Sequence, residues 1–213
     1  MKVLVILNGE VRGSASERAQ ASDSTLIIAA DGGARNARRL GLSPDVIIGD
    51  LDSVEGDLLA ELQAAGCRII RHSPHKDETD AELALLEAAR LGATEVRILG
   101  ALGGRFDHTL ANILLLTMPA LQGIRARIIT HDAVIALVNG EAEIVGAIGD
   151  TLSLLPLGGD AVGITTAGLE YPLRDETLRL GPARGVSNVL AAPVARVRVR
   201  EGLLLAVHYP SKA

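Results

Sequence analysis

Hydrophobic and polar positions follow two different patterns along this chain. Up to about residue 130, short apolar runs alternate with longer segments in which apolar residues recur at the period of a helix. Beyond that point, short apolar runs follow one another and are separated by glycine, proline and aspartate. The first pattern is typical of parallel βαβ units and the second of antiparallel strands. We therefore predict an α/β domain with a mostly parallel sheet and flanking helices in residues 1–130, and an antiparallel β-sandwich domain in residues 131–213.

The same pattern predicts the individual elements. In the first region it predicts strands at residues 3–7, 25–30, 46–48 and 96–99, weaker strands at 68–70 and 126–130, and helices at 33–40, 57–65, 79–91 and 107–116. In the second region it predicts two hairpins, one turning at Asn139-Gly140 between strands 134–138 and 141–145, the other turning at Glu201-Gly202 between strands 195–200 and 203–209. Further strands are predicted at 151–155, 161–165 and 177–180.

Composition argues against several classes of function. The net charge of -5 and the scattered arginines argue against a nucleic-acid-binding protein, which needs a basic surface to contact phosphates. The longest uncharged stretch, residues 109–124, is too short to span a membrane. A single cysteine, Cys67, excludes an internal disulfide and is compatible with a reducing compartment. We expect a cytoplasmic protein that binds neither nucleic acid nor membrane.

Unusual polar groups follow four of the predicted strands. Ligands of open α/β sheets bind at the carboxyl ends of the strands, so these groups are expected to face one crevice. The four segments are Asp31-Gly32-Gly33, Gly49-Asp50-Leu51-Asp52-Ser53, His75-Lys76-Asp77-Glu78-Thr79-Asp80 and Gly103-Gly104-Arg105-Phe106-Asp107-His108.

Asp50 and Asp52 are the first candidates for a metal site. Two aspartates separated by one residue at a strand end can present both carboxylates to one hard cation, which prefers oxygen ligands. Taken alone, the pair is also typical of a solvated turn. The acidic segment that ends at Asp80 favours the metal interpretation, because neighbouring carboxylates repel one another unless a cation lies between them. We predict that Asp50, Asp52 and Asp80 hold the metal.

The segment before Asp80 has a second interpretation. Thr79 and Asp80 open a predicted helix, where an Asp or Thr side chain can cap the exposed amides of the first turn. Asp77 fits that capping role best, and Glu78 is interpreted as solvated.

The segment 103–108 combines features of a phosphate site. Gly103-Gly104 allows a close approach of backbone to a polyphosphate, and Arg105 can bind phosphate oxygens through two hydrogen bonds. Asp107 opens a helix whose N-terminus favours an anion, and His108 fits either a functional role or a hydrogen bond to the helix start. Neither G-x-x-x-x-G-K-[ST] nor a G-x-G-x-x-G after the first strand occurs, so other loops must hold a nucleotide.

In order and spacing, these segments resemble the thiamine pyrophosphokinase family. The resemblance rests on residues 30–34, 49–53, 77–80 and 103–108, and it extends to residues 168–173 and to Ser187-Asn188. It implies an enzyme that transfers a diphosphate group from ATP to the hydroxyl of thiamine, giving thiamine diphosphate and AMP. It also implies a homodimer with active sites shared between the subunits.

The resemblance further implies roles for individual residues. Asp50, Asp52 and Asp80 fall where the family binds Mg²⁺, and together with Arg105 and Asp107 they are the expected catalytic residues. The expected ATP-binding residues are Asp31, Gly32, Lys76, Asp77, Thr79, Gly103, Gly104 and Arg105. The expected thiamine-binding residues are Tyr171, Ser187 and Asn188. A general base is not evident, with Asp77, Asp107 or no base at all as the alternatives.

Several alternatives remain open at the acceptor end. Tyr171 stands where some family members place a tryptophan that stacks on thiamine, and a phenol ring can also stack. An edge-strand aromatic before Pro172 is the other interpretation. For the whole chain, the alternatives are a pyrophosphokinase acting on a pterin alcohol, a non-catalytic nucleotide- or thiamine-binding regulator, and a metal-dependent phosphohydrolase.

Overall fold

The computed structural model describes residues 1–211. The chain divides into two compact units, Met1–His131 and a second unit that begins at Asp132. Residues 212 and 213, which the sequence placed in the second domain, lie outside the described residues. No helix within residues 1–211 is long and apolar enough to cross a membrane.

The first unit is built on a sheet of six parallel strands. Their order in the sheet is β4-β3-β2-β1-β5-β6. Their bounds are Lys2–Ile6 (β1), Leu26–Ala30 (β2), Val46–Gly49 (β3), Arg68–Arg71 (β4), Glu95–Leu99 (β5) and Arg125–Ile129 (β6). The predicted parallel α/β fold is confirmed, including the two strands that the sequence supported more weakly.

Helices connect these strands as expected for βαβ units. They are Ala15–Ala21 (α1), Gly33–Leu40 (α2), Gly56–Ala64 (α3), Asp80–Arg90 (α4) and Phe106–Leu114 (α5), and two short 3-10 turns follow at Leu115–Thr117 and Pro119–Leu121. The residues of β1 from Val3 to Ile6 are fully buried, which places the centre of the sheet in the core.

Helix α1 was not predicted. It is polar and short, so its apolar period is weak, but its start carries a capping box. The Ser14 side chain accepts a hydrogen bond from the Glu17 amide at 3.2 Å, and the Glu17 carboxylate accepts one from the Ser14 amide at 2.7 Å. The S-x-x-E signature in the sequence therefore marks a helix that the apolar pattern alone does not predict.

The second unit consists of antiparallel strands around its own core, as predicted. The strands are Val134–Val138 (β7), Glu141–Val145 (β8), Thr151–Ala167 (β9), Glu176–Leu178 (β10), Asn188–Val189 (β11), Val194–Arg198 (β12) and Glu201–Tyr209 (β13). Its core combines buried side chains from β7, β9, β12 and β13, among them Val138, Leu154, Val197 and Leu204.

Strand β9 corrects the prediction of two separate strands at 151–155 and 161–165. It is continuous over 17 residues. Its first part pairs with β13 from Thr151 to Leu157, and its last part pairs with β12 from Thr165 to Ala167. Gly158 and Gly159 lie between these parts. Glycine is depleted in strand interiors, so the sequence pattern predicts a break there.

Both predicted hairpins are also wrong. β7 pairs with β13 and β8 pairs with β12, so the turn at Asn139-Gly140 leads from one sheet to the other. The predicted turn at Glu201-Gly202 is the start of β13, whose long partner is β9 rather than β12. A two-residue turn signature reports local backbone geometry, and the pairing here is decided by β9, which supplies a partner to both sheets.

Candidate functional site

The strand order of the first unit reverses between β1 and β5. Chain connections run from β1 toward β4 on one side and from β5 to β6 on the other, which makes this the topological switch point of the sheet. A cavity of about 690 Å³ lies at the carboxyl ends of the strands here. Its lining comes from the segments after β1, β2, β3 and β5 and from the start of α4, and it includes Asn8, Glu10, Asp31, Ser53, Thr79, Asp80, Gly103, Gly104, Arg105, His108 and Asn112.

The loops after β1 and β5 are packed directly on each other. The Gly9 amide donates to the Gly100 carbonyl at 2.8 Å, and the Glu10 amide donates to the Leu102 carbonyl at 2.7 Å. A Cβ atom on Gly103 would lie 2.8 Å from Glu10 Cβ, closer than real side chains approach. Glycine at this position therefore lets the two loops form one continuous floor for the cavity.

Three carboxylates converge beside this floor. Asp31, Asp50 and Asp52 each offer an oxygen atom, and these atoms lie within 4.8 Å of one another. Asp31 is buried, while Asp52 is exposed to solvent. An all-oxygen set at this spacing fits a hard divalent cation. The sequence grouped Asp50 and Asp52 with Asp80, whereas the structure brings Asp31 into the closest group.

The backbone around these carboxylates is held in an uncommon conformation. Asp31 has φ 45° and Leu51 has φ 66°, both in the left-handed region that L-residues with side chains seldom adopt. The Asp31 carboxylate accepts a hydrogen bond from the Ser53 amide at 3.3 Å, and its own amide donates to the Ile48 carbonyl at 2.9 Å. The ends of β2 and β3 are thereby tied together, and such outliers concentrate at functional sites.

Asp80 lies next to this group, across Gly49. A Cβ atom on Gly49 would lie 2.9 Å from Asp80 Oδ1 and 3.2 Å from Asp31 Cβ. Asp80 Oδ1 is buried and accepts no well-aligned hydrogen bond from the described residues, but Lys76 Nζ lies 2.7 Å away. We interpret this contact as an ion pair between two largely buried groups. The lysine supplies the positive charge that the carboxylate needs in this structure.

The start of α4 settles which side chain caps that helix. Thr79 is the N-cap, and its hydroxyl accepts a hydrogen bond from the Glu82 amide at 3.1 Å. The interpretation of Asp77 as the better cap is therefore wrong, since Asp77 lies two residues before the cap and is exposed. Capping by Thr79 fixes Asp80 at the first helical position, with its carboxylate beside Gly49.

Arg105 and Asp107 form an exposed ion pair at the start of α5. The Arg105 Nε atom donates to Asp107 Oδ1 at 3.1 Å, and the Nη2 atom donates to the second carboxylate oxygen. This hydrogen bonding holds the pKa of Asp107 below its usual range and raises that of Arg105. Arg105 and His108 line the cavity, so a phosphate would compete with Asp107 for the guanidinium.

The three residues that the sequence connected with an acceptor lie together in the second unit. The Tyr171 amide donates to the Asn188 side-chain oxygen at 3.1 Å, and the Asn188 side-chain nitrogen donates to the Tyr171 carbonyl at 2.7 Å. Ser187 has φ 61°, and its amide donates to the Ser153 hydroxyl at 3.0 Å. The Tyr171 side chain itself is 64% exposed. Its backbone is thus fixed while its ring remains open to a ligand.

Some predicted site residues lie farther from the cavity surface than others. Six residues predicted for the ATP and metal site do not line the cavity, namely Gly32, Asp50, Asp52, Lys76, Asp77 and Asp107. Three polar lining residues lie outside the segments that the sequence singled out, namely Asn8, Glu10 and Asn112. Asn8 and Glu10 directly follow β1, so the strand-end rule that identified the other segments could have found them. Asn8-Gly9 is also a turn signature, which on sequence alone gives this segment a purely structural interpretation.

Two family models match this chain. The model described as thiamin pyrophosphokinase, catalytic domain, matches residues 18–128. The model described as thiamin pyrophosphokinase, vitamin B1 binding domain, matches residues 140–204. The first match contains the carboxylates of the cavity, and the second contains Tyr171 and Asn188.

Relatives and solved structures agree with these matches. Thiamine pyrophosphokinase 1 of Oryza sativa subsp. japonica is 31% identical over 170 residues, which cover 75% of this chain and 64% of that protein. The thiamine pyrophosphokinase of Bacillus subtilis (strain 168) is 29% identical over 187 residues, covering 87% of each. A crystal structure of a Bacillus subtilis thiamine pyrophosphokinase has a TM-score of 0.88 and 25% identity, with both chains covered completely.

Proposed function

We propose that this chain, which belongs to the thiamin pyrophosphokinase family, transfers a diphosphate group from ATP to the hydroxyl of thiamine. A bond forms between the thiamine oxygen and the β-phosphorus, and the bond between the β-phosphorus and the oxygen bridging to the α-phosphorus breaks. AMP leaves with that oxygen, and the hydroxyl proton is released. The products are thiamine diphosphate and AMP.

One observation carries this proposal beyond family membership. The convergent carboxylates of Asp31, Asp50 and Asp52 stand beside a cavity whose floor is made of glycine-rich loops. A polyphosphate needs close backbone approach and a cation to offset its charge. In the first unit, the glycine-rich loops allow the close approach and the carboxylate cluster can hold the cation. Three carboxylates this close repel one another, and a cation between them offsets that repulsion.

The residues fit a divalent cation, and we propose Mg²⁺. The donor set consists of carboxylate oxygens, which Mg²⁺ prefers, and Asp31 also lines the cavity, so phosphate oxygens and water would complete the coordination. Asp80 Oδ1 is a further buried oxygen beside the same group. When bound, the cation supplies charge neutralisation and polarisation at the transferred phosphoryl group.

The remaining groups position ATP and stabilise charge. Arg105 can exchange its contact with Asp107 for the phosphates, where its two parallel donors match phosphate oxygens. We propose that Lys76, now paired with Asp80, exchanges this contact for the same polyphosphate. Gly32, Asp77, Thr79, Gly103 and Gly104 belong to the loops around the nucleotide. Because phosphoryl transfer depends mainly on positioning and electrostatics, no strong general base is required.

For the acceptor we propose a site that includes Tyr171, Ser187 and Asn188. The match to a vitamin B1 binding domain over residues 140–204 supports it. The exposed Tyr171 ring offers a face on which an aromatic cation such as thiamine can stack. The mutual hydrogen bonds between Tyr171 and Asn188 hold this segment in place.

Tyr171→Ala is expected to raise the KM for thiamine about tenfold, because stacking on an aromatic ring contributes roughly 1–2 kcal/mol. Binding of Mg·ATP should be unchanged. Calorimetric titration of each substrate separates the two effects. Tyr209→Ala removes another exposed tyrosine, outside the proposed acceptor site, and serves as the control. Equal loss of thiamine and Mg·ATP affinity would exclude Tyr171 from the acceptor site.

We also propose a homodimer with shared active sites, and α5 supports it. Phe106, Leu110 and Leu114 recur every four residues on this helix, and their exposed fractions are 77%, 47% and 46%. Every residue of α5 is at least partly exposed, which is unusual for a helix that flanks a sheet. A second copy of the chain is the proposed cover for this stripe, which directly follows the phosphate-site residue Arg105.

Leu110→Glu is expected to dissociate this dimer, because it buries a charge in an apolar interface. Sedimentation or light scattering should show a monomer, and activity should fall as the shared sites are lost. Gln122→Glu adds the same charge at an exposed position outside the stripe and should leave the dimer intact. A Leu110→Glu variant with the mass of the wild type would contradict the assignment of α5 to the interface.

A single assay tests the proposed activity. The protein is incubated with ATP, Mg²⁺ and thiamine, and the products are examined for AMP and thiamine diphosphate. AMP formed only with a pterin alcohol would favour that acceptor, whereas phosphate released without an acceptor would indicate a phosphohydrolase. No AMP with any alcohol would favour a binding regulator.

The cytoplasm is the compartment we propose, since both substrates are expected there.

A further inference from the structure

A buried asparagine on α2 has no part in the chemistry described so far. Asn36 is 6% exposed and lies on the helix face that also buries Ala34, Ala37 and Leu40. Burying a carboxamide in such surroundings is costly unless its hydrogen bonds are satisfied. A small apolar residue could be buried there at lower cost, so the hydrogen bonds of the Asn36 side chain must offset the cost of its burial.

The side-chain nitrogen of Asn36 is hydrogen-bonded to the loop after β1. Its nitrogen donates to the Leu7 carbonyl at 2.8 Å and to the Gly9 carbonyl at 2.9 Å. These two carbonyls flank Asn8, which lines the cavity. One carboxamide therefore fixes two peptide groups at the point where the regular pairing of β1 ends.

The loop that Asn36 holds is part of the cavity floor. Its Gly9 and Glu10 amides donate to the loop after β5, and Asn112 donates to the Ala101 carbonyl of that second loop at 2.7 Å. On its other side, Asn8 is packed so closely on Gly32 that a Cβ there would lie within 2.6 Å of its side-chain oxygen. Displacing the loop after β1 would therefore disturb its contacts with the loop after β5 and with Gly32.

The direction of these two hydrogen bonds matters for an anionic ligand. Carbonyl oxygens carry partial negative charge and repel phosphate, whereas amide groups attract it. Asn36 turns the Leu7 and Gly9 carbonyls toward α2. Without it, both carbonyls lose these donors, and the peptide after Gly9 is held through the Glu10 amide, which donates to the Leu102 carbonyl.

We propose that Asn36 is a positioning residue for the polyphosphate of the nucleotide, acting through the loop after β1. This inference rests on the proposed function, because it assigns the ligand of the same cavity. Asn36 touches neither substrate directly. Substitution of Asn36 is expected to weaken nucleotide binding and to leave binding of the acceptor unchanged.

The test compares Asn36→Ala and Asn36→Asp with the wild type. Calorimetric titration with Mg²⁺ and a non-hydrolysable ATP analogue should give a Kd about tenfold higher for Asn36→Ala, equivalent to about 1.4 kcal/mol. The KM for ATP should rise in parallel, while the KM for thiamine stays within about twofold. Asn36→Asp keeps the shape but sets a carboxylate against two carbonyls, and a larger loss is expected.

Arg39→Met is the matched control. Arg39 lies on the same helix and donates to the Val11 carbonyl of the same connection at 3.3 Å, beyond the residues that line the cavity. Its removal should leave the nucleotide Kd unchanged. If Asn36→Asp does not fold, Asn36→Ala decides the outcome, and Asn112→Ala probes the floor from the other loop with an expected rise of about threefold.

The outcomes distinguish this inference from the proposed function. A wild-type chain that binds no nucleotide would overturn the proposed function. A wild-type chain that binds nucleotide together with a folded Asn36→Ala variant of equal Kd would overturn only the role of Asn36. A parallel loss of ATP and thiamine affinity would show a general structural role instead.

Discussion

Asp52→Asn is expected to lower kcat by roughly a thousandfold, which corresponds to about 4 kcal/mol of lost transition-state stabilisation. Asp52 belongs to the group of three carboxylates whose oxygens lie within 4.8 Å. The substitution keeps the shape of the side chain and removes the charge that a divalent cation requires. Asp52 is exposed, so the melting temperature should change little.

The measurement is AMP formation as a function of Mg²⁺ concentration, together with calorimetric Mg²⁺ binding in the presence of ATP. Asp57→Asn is the control, because Asp57 is an exposed aspartate on the following helix, α3. That variant should keep both activity and metal affinity. Wild-type turnover in Asp52→Asn would remove Asp52 from the metal site.

Gly49→Ala is expected to reduce turnover by roughly a hundredfold, because the added methyl group crowds the Asp80 carboxylate and Asp31. The new Cβ atom would lie 2.9 Å from Asp80 Oδ1 and 3.2 Å from Asp31 Cβ, so at least one carboxylate must move. Gly49 also has φ 143°, a conformation that alanine adopts only with strain. The KM for ATP should rise and the KM for thiamine should not.

Strain and crowding at Gly49 can be separated with Gly92→Ala. Gly92 has φ 83° after α4, and a Cβ atom there would meet nothing within 4 Å. This control should lower thermal stability without altering either KM. If Gly49→Ala lost stability to the same extent but kept full activity, the close packing of Asp31, Gly49 and Asp80 would be irrelevant to catalysis.

The sequence predicted the α/β unit well, because its signals are local. Each buried parallel strand is a continuous apolar run, and each helix has an apolar period, so strand ends and their polar segments can be located directly. The segments at Asp31, Asp50, Asp80 and Arg105 all follow predicted strands, and all four reach one edge of the sheet. α1 was missed because its signal was a capping box rather than an apolar period.

Pairing and side-chain partners could not be predicted in the same way. The hairpin interpretation of Asn139-Gly140 failed because a turn signature does not specify which strands pair. The grouping of Asp31 with Asp50 and Asp52 depends on the register of β2 against β3, which no local pattern reveals. Asn36 looked like an ordinary helical residue, since its two carbonyl partners lie more than 25 residues earlier.

Strand β9 has a consequence for how the second unit folds. It is the shared partner of β10, β11, β12 and β13, so removing it would leave only β7 paired with β13 and β8 paired with β12. Its contacts with β13 join segments about fifty residues apart, and such non-local pairing makes folding slow because loop closure precedes any gain. Once formed, the strand couples both sheets. Hydrogen exchange in the second unit should therefore report a single cooperative opening, with β9 among the last amides to exchange.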